Sequence, residues 1–210
     1  MTRCEHTMNK RKFLRTGVAL WTTAAASVAA LGGCARPAPP TRWYRLGVDA
    51  PAQFGALPAT PASTWEIARS VRLPEYLDRD RIVLASGSSG LLPVSGHRWA
   101  EPLAESVPRL LAHDLQLLRG AQRVWVAPAP AGAAVDRRLQ VELWALHAES
   151  DRGVMTLRAS WWLADVRGVL APQTGSAAFD LPIEGNGVEG IVGAHRLALW
   201  RLAERIAATP

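Results

Sequence analysis

Cysteine is nearly absent: the 210 residues contain two, Cys4 and Cys34. A disulfide framework or a Cys-based metal site needs more thiols than that. Lysine is confined to positions 10 and 12, and every later basic residue is arginine, a bias that reads as base composition of the genome rather than function. A membrane-spanning run of about 20 apolar residues is missing as well. The stretch from Gly17 to Ala30 is Ala-rich and free of charge, and it follows Arg3, Lys10, Arg11, Lys12 and Arg15. A basic segment followed by a short apolar one is the order of a secretory signal peptide.

Leu31, Gly32, Gly33 and Cys34 then stand in the order of a lipobox. Two small residues admit the signal peptidase, and the thiol behind them receives diacylglycerol. The expected organisation is therefore a lipoprotein signal peptide over 1–33, a lipidated Cys34 with a Pro-rich linker over 34–41, and a folded domain over 42–208. The start is open between Met1 and Met8. Removing residues 1–33 takes Cys4 with it, and attachment to lipid uses the remaining thiol, which would otherwise be a reactive liability in an oxidising compartment. The linker Ala-Arg-Pro-Ala-Pro-Pro-Thr favours polyproline geometry at ~3.1 Å per residue and keeps the domain close to its membrane.

The chain carries a net charge of +6, from 24 Lys and Arg against 18 Asp and Glu. The signal segment supplies five of the bases and only one acid, Glu5, so the mature chain is nearly neutral. Its arginines are scattered among acids rather than clustered, which argues against nucleic acid as a partner.

Along the mature chain, Trp43 to Val48 reads as a first strand, Pro51 to Ser63 as a surface loop, and Trp65 to Leu73 as a second strand. Ile82 to Ala85 and Val124 to Ala127 read as short strands. Leu103, Val107, Leu110, Leu111, Leu115 and Leu118 recur at the spacing of one helix face. Pro108 within that stripe predicts a kink or a start delayed to Ser106. Leu139, Val141 and Leu143, and then Met155, Leu157, Ala159 and Trp161, alternate with polar residues at period two, as in strands with one buried face. Turn residues follow each, which predicts an antiparallel meander. A last helix is expected from Val188 to Ala207, with Ile191, Val192, His195, Leu199, Leu202 and Ile206 on one face. The expected fold is a single α/β domain of α+β character: a mixed, largely antiparallel sheet packed by two amphipathic helices.

Candidate chemistry is thin. Gly185, Gly187 and Gly190 spell a dinucleotide-binding spacing, but only about 20 residues follow, with no room for the second strand and the ribose-binding acid such a site needs; a plain glycine turn is expected. Gly87-Ser88-Ser89-Gly90 lacks the spacing of an activated serine and reads as a turn. The mature histidines, His97, His113, His147 and His195, show no i, i+4 pair for zinc. No catalytic residue, cofactor or metal ligand is expected beyond the covalent lipid on Cys34. Trp144 and Trp162 fall on the nominally polar faces of the meander strands, either as a partner interface or as core beneath further helices.

Three segments carry a resemblance: Leu73-Pro74-Glu75-Tyr76-Leu77-Asp78-Arg79 running into Ile82-Val83, then His97-Arg98-Trp99-Ala100-Glu101-Pro102-Leu103, then the strand Leu139 to Leu146 with its meander. Together they resemble the ABC-type transport auxiliary lipoprotein family of the paraquat-inducible protein C (PqiC) type. The resemblance implies a non-catalytic subunit of an MCE-type system. Such a subunit is held through Cys34 on the periplasmic face of the outer membrane and docks the end of a periplasmic tube protein (PqiB-like). The tube is served from an inner-membrane permease and carries phospholipid or related apolar cargo. Ala35 is not the aspartate that commonly retains lipoproteins at the inner membrane. Self-association around the tube end would fit the same picture. Pro74, Tyr76, Leu77, Asp78, Arg79, Trp99, Glu101 and Pro102 become candidate contacts, against the alternative that Tyr76 and Trp99 plug the core while Asp78 and Arg79 pair locally. A lipid-anchored hydrolase or a structural envelope or peptidoglycan-associated lipoprotein are the rival readings.

Overall fold

The computed structural model describes residues 40–51, 63–149 and 151–209. Leu31, Gly32, Gly33 and Cys34, and most of the expected loop after Pro51, lie outside the described residues. No helix among the described residues is long and apolar enough to cross a membrane.

Eight strands make one mixed sheet: β1 (Arg42–Tyr44), β2 (Trp65–Ile67), β3 (Arg81–Ser86), β4 (Gly90–Trp99), β5 (Val124–Val126), β6 (Arg137–Glu149), β7 (Val154–Asp165) and β8 (Gln173–Pro182). Its spine is the antiparallel meander β6–β7–β8. The other edge of β6 is shared: β2 runs parallel to its first residues and β3 parallel to its last, with a single bridge from Arg72 to Glu142 between them. Outside β2 lies β5, and outside β3 come β4 and then β1. Two helices, α1 (Leu103–Arg119) and α2 (Gly187–Ala207), pack together, and α2 lies against β6, β7 and β8.

Alternation explains the spine, with one interruption. Leu139, Val141 and Leu143 are buried, and then Leu146 and Ala148 are, so the buried set switches from odd to even positions. The register shows why: Leu143 pairs with Ala159 and Ala145 with Arg158, which leaves Trp144 as the extra residue of a β-bulge. β7 continues without a slip, and its inward set Met155, Leu157, Ala159, Trp161 and Leu163 meets the helices.

β8 and β4 were not legible as strands. β8 has only small residues through Gly175-Ser176-Ala177-Ala178, so its inward face shows late, at Phe179 and Leu181, and β4 contains Pro93 and Gly96. Gly175 is required by its partner, because a Cβ there would fall 2.3 Å from the Trp161 ring. Gly175→Ala should therefore lower stability by about 1–3 kcal/mol in denaturant titrations. The penalty should largely vanish in a Trp161→Leu background; an equal loss in both backgrounds would show that the ring is not the obstacle.

The second strand is shorter than its expected span, ending at Ile67. The chain beyond it still follows β6: the Arg72 N–H donates to the Val141 carbonyl, and the Leu143 N–H to the Arg72 carbonyl. The expected kink at Pro108 does not displace the helix start, because α1 begins at Leu103, with the Pro102 carbonyl accepting the Ser106 N–H at 3.0 Å. Proline has no N–H to give the carbonyl four residues back. That carbonyl, of Ala104, accepts the Val71 N–H at 3.2 Å instead, so the missing rung becomes a tie between α1 and the chain entering the 72–80 connector.

The helices are locked by a buried ion pair. Arg196 of α2 grips Asp114 of α1 through two parallel bonds of 2.9 and 2.7 Å, and its Nε donates to the Asp49 carbonyl. One residue earlier, buried His195 sets its Nδ1 2.8 Å from the Ile191 carbonyl and its ring edge-on to Trp99. At the other end of α1, the Arg119 guanidinium stacks 3.4 Å over the Trp65 ring, and burial pulls its pKa down to about 10 with Arg137 adding to the effect. Gly185 precedes α2 and Gly190 lies in its first turn, where a Cβ would fall 2.7 Å from the Glu184 carbonyl oxygen.

Candidate functional site

The two motifs that stand twenty residues apart in sequence meet in one groove. Asp78, Arg79 and Asp80 form one wall, Trp99, Ala100, Glu101 and Pro102 the other, and Trp43 of β1 closes the side. Its volume is about 260 Å³. The arrangement follows from local chemistry. Pro74 starts a tight turn in which the Leu77 N–H bonds to the Pro74 carbonyl and the Asp78 N–H to that of Glu75. Leu77 is buried by this turn, and the three charged residues after it are thereby turned to solvent. Two backbone bonds fix the walls: the Trp99 N–H donates to the Asp80 carbonyl at 2.6 Å, and the Ala100 N–H to that of Tyr44 at 2.7 Å.

Charges along the rim are paired lightly. Arg79 meets Glu75 at 3.0 Å, Arg98 meets Asp80, and Arg109 of α1 reaches back to Glu101. These pairs are exposed and worth only ~0–1 kcal/mol each, so a partner can exchange them at little cost. Asp78 carries no such pair among the described residues. Beside these charges stands Trp43, 59% exposed. An aromatic ring flanked by exchangeable charges suits recognition of another protein. Among the described residues, no group of three or more His, Asp or Glu is placed to hold a metal.

The other candidate residues divide. Trp99 is 3% exposed and Leu77 is buried, so they build the groove from beneath. Tyr76 is half-buried; its hydroxyl lies 3.0 Å from His147 Nδ1, burial raising the tyrosine pKa and lowering that of the histidine. Trp144 stands 58% exposed on its bulge, on the face of the sheet away from the helices. Trp162 is half-buried on that same face, with the Arg72 guanidinium 5.9 Å from its ring. Neither lines the groove. Trp43, Asp80 and Arg98 were not singled out in advance. The available signal was a tryptophan placed directly after the linker.

Residues 44–207 match the family described as ABC-type transport auxiliary lipoprotein component. The chain belongs to this family. The match takes in both walls of the groove but not Trp43. No curated protein matches the chain in sequence. Among solved structures, a protein from Xanthomonas campestris assigned to the family DUF330 is 15% identical, with 80% of this chain and 93% of that one covered and a TM-score of 0.61. Another, an uncharacterized protein, is 18% identical over 80% of this chain and 97% of its own, with a TM-score of 0.62. At such identities the likeness concerns the fold. The groove gathers loop residues of both motifs on one surface of this auxiliary lipoprotein.

Proposed function

We propose that this auxiliary lipoprotein is a non-catalytic docking subunit. It is acylated on Cys34, held on the periplasmic face of the outer membrane, and receives the end of an MCE-type tube protein in the groove formed by Asp78, Arg79, Glu101, Pro102 and Trp43. One observation carries the reading: residues of two separate motifs, both outside the helices and the sheet spine, converge on one surface whose ion pairs are weak enough to be exchanged. The buried members supply the frame and the exposed members supply the contacts. The tube delivers phospholipid or related apolar cargo from the inner-membrane permease, and envelope integrity depends on that traffic. Several copies around one tube end would satisfy the same geometry.

Reversing the unpaired groove charge, Asp78→Arg, should leave the thermal unfolding midpoint unchanged. Affinity for the tube protein in solubilised envelopes should fall about ten-fold, as expected for a rim charge set against its partner. Undiminished recovery by quantitative co-purification would remove this groove from the interface.

A further inference from the structure

The β3–β4 hairpin ends in an uncharged turn, Gly87-Ser88-Ser89-Gly90, followed at once by Leu91 and Leu92. Gly87 to Pro93 are all exposed, and no residue from Ser86 to His97 is charged. Leu91 and Leu92 present 44% and 52% of their surface to solvent. The tip has a fixed shape: Gly87 takes φ +61°, and a Cβ on Gly90 would lie 2.5 Å from the Ser86 carbonyl oxygen. None of its own residues is charged, and its two open leucines can settle at the boundary between headgroups and acyl chains.

The course of the chain says which surface. β1 runs parallel to β4, with Arg42 opposite His97, and the Pro40 carbonyl lies 3.8 Å from the position of a Cβ on Gly96. The chain thus joins the domain beside the outer half of β4. Cys34 precedes Pro40 by six residues, a reach of roughly 20 Å in extended polyproline form. Gly96 to Leu91 is five residues of strand, or roughly 17 Å. The two lengths agree, so an acyl chain on Cys34 and the leucine tip can lie at one depth.

The geometry points to Leu91 and Leu92 as a second membrane contact, inserted in the same phospholipid leaflet that holds the lipid of Cys34. This rests on the acylation proposed above. The neighbouring β6–β7 turn stands level with the tip, and its charges hold the contact at headgroup depth. Asp151 accepts the Gly87 N–H at 2.8 Å, and Arg152 lies between Glu149 and Asp180. With the tip in lipid, the groove at the far end of β4, roughly 27 Å from Leu91, is turned towards the periplasm. A second exposed apolar hairpin, with Val166, Val169 and Leu170, sits at the opposite end of β6 and serves as the control.

The mature chain has no thiol besides Cys34, so Leu92→Cys and Val169→Cys each add a single site for an environment-sensitive fluorophore. Each acylated full-length variant is placed in phosphatidylethanolamine and phosphatidylglycerol vesicles containing a shallow doxyl-labelled lipid. The label at 92 should shift to the blue and lose roughly half of its emission to the quencher, while the label at 169 should emit as in buffer. An acylated chain unquenched at 92, or quenched at 169 instead, overturns the tip contact and leaves the anchor standing. A mass spectrum with no acyl group on Cys34 overturns both.

Discussion

Asp114→Asn should destabilise the domain by about 3–5 kcal/mol, measured by urea titration at neutral pH, because it strands the Arg196 guanidinium in an interior it cannot leave. Asp114 is fully buried, and the Arg196 side chain is only 9% exposed. Both oxygens of the carboxylate are used by this one partner. Removing both charges together is a different matter. In Asp114→Leu with Arg196→Met, no unpaired ion remains, and the apolar pair fills the space between α1 and α2. The double variant should recover most of the loss, with only the Arg196 bond to the Asp49 carbonyl forfeited. Additive losses would mean that each residue acts alone.

The second large effect depends on pH. Burial pulls the His195 pKa from its ordinary 6.5 to about 4, against the carbonyls of Ile191 and Leu146, which favour a proton on the ring. Between these values the unfolded chain binds a proton that the folded one refuses. Its contribution to stability is complete above pH 6.5 and is lost as pH falls towards 4, by about 3 kcal/mol. The native protein should therefore lose stability as pH falls from 7 to 4.5. His195→Asn keeps an amide donor for the Ile191 carbonyl but does not titrate. Relative to the native chain it should gain about 2–3 kcal/mol over that interval. Parallel stability profiles for the two proteins would show that His195 does not titrate there. Shared carboxylates such as Asp136 and Asp180, whose pKa values are lowered by Thr64 and Arg158 respectively, cancel in the comparison.

What could be read in advance follows the physics of burial. The meander strands and both helices announce themselves because one face of each is packed and the other is not. The final helix starts one residue before the expected Val188. β8 was hidden because Gly175 makes room for Trp161 and so carries no side chain, which leaves Ala177, Phe179 and Leu181 alone to mark its inward face. β4 was hidden because its outer half, although paired with β3, is exposed from Gly90 to Pro93 and so has no buried face to set a period. Pro108 misled because its cost depends on whether another N–H reaches the abandoned carbonyl, and Val71 is 37 positions away in sequence. The groove was half legible. The motif residues were visible, but which of them would face solvent depends on the tight turn that buries Leu77 and on the strand pairing that buries Trp99.

The bulge at Trp144 carries a consequence for how this domain can change length. Because the slip occurs at one residue, the inward positions on either side of it are already in step with β7 without it: Leu143 and Leu146 would alternate regularly if Trp144 were deleted. Most single deletions in a central strand rotate every later side chain out of the interior. Here the loss would straighten the strand and spare the packing, so the indole is an addition to the ladder rather than a part of the frame, and this position can gain or lose a residue as the surface diverges.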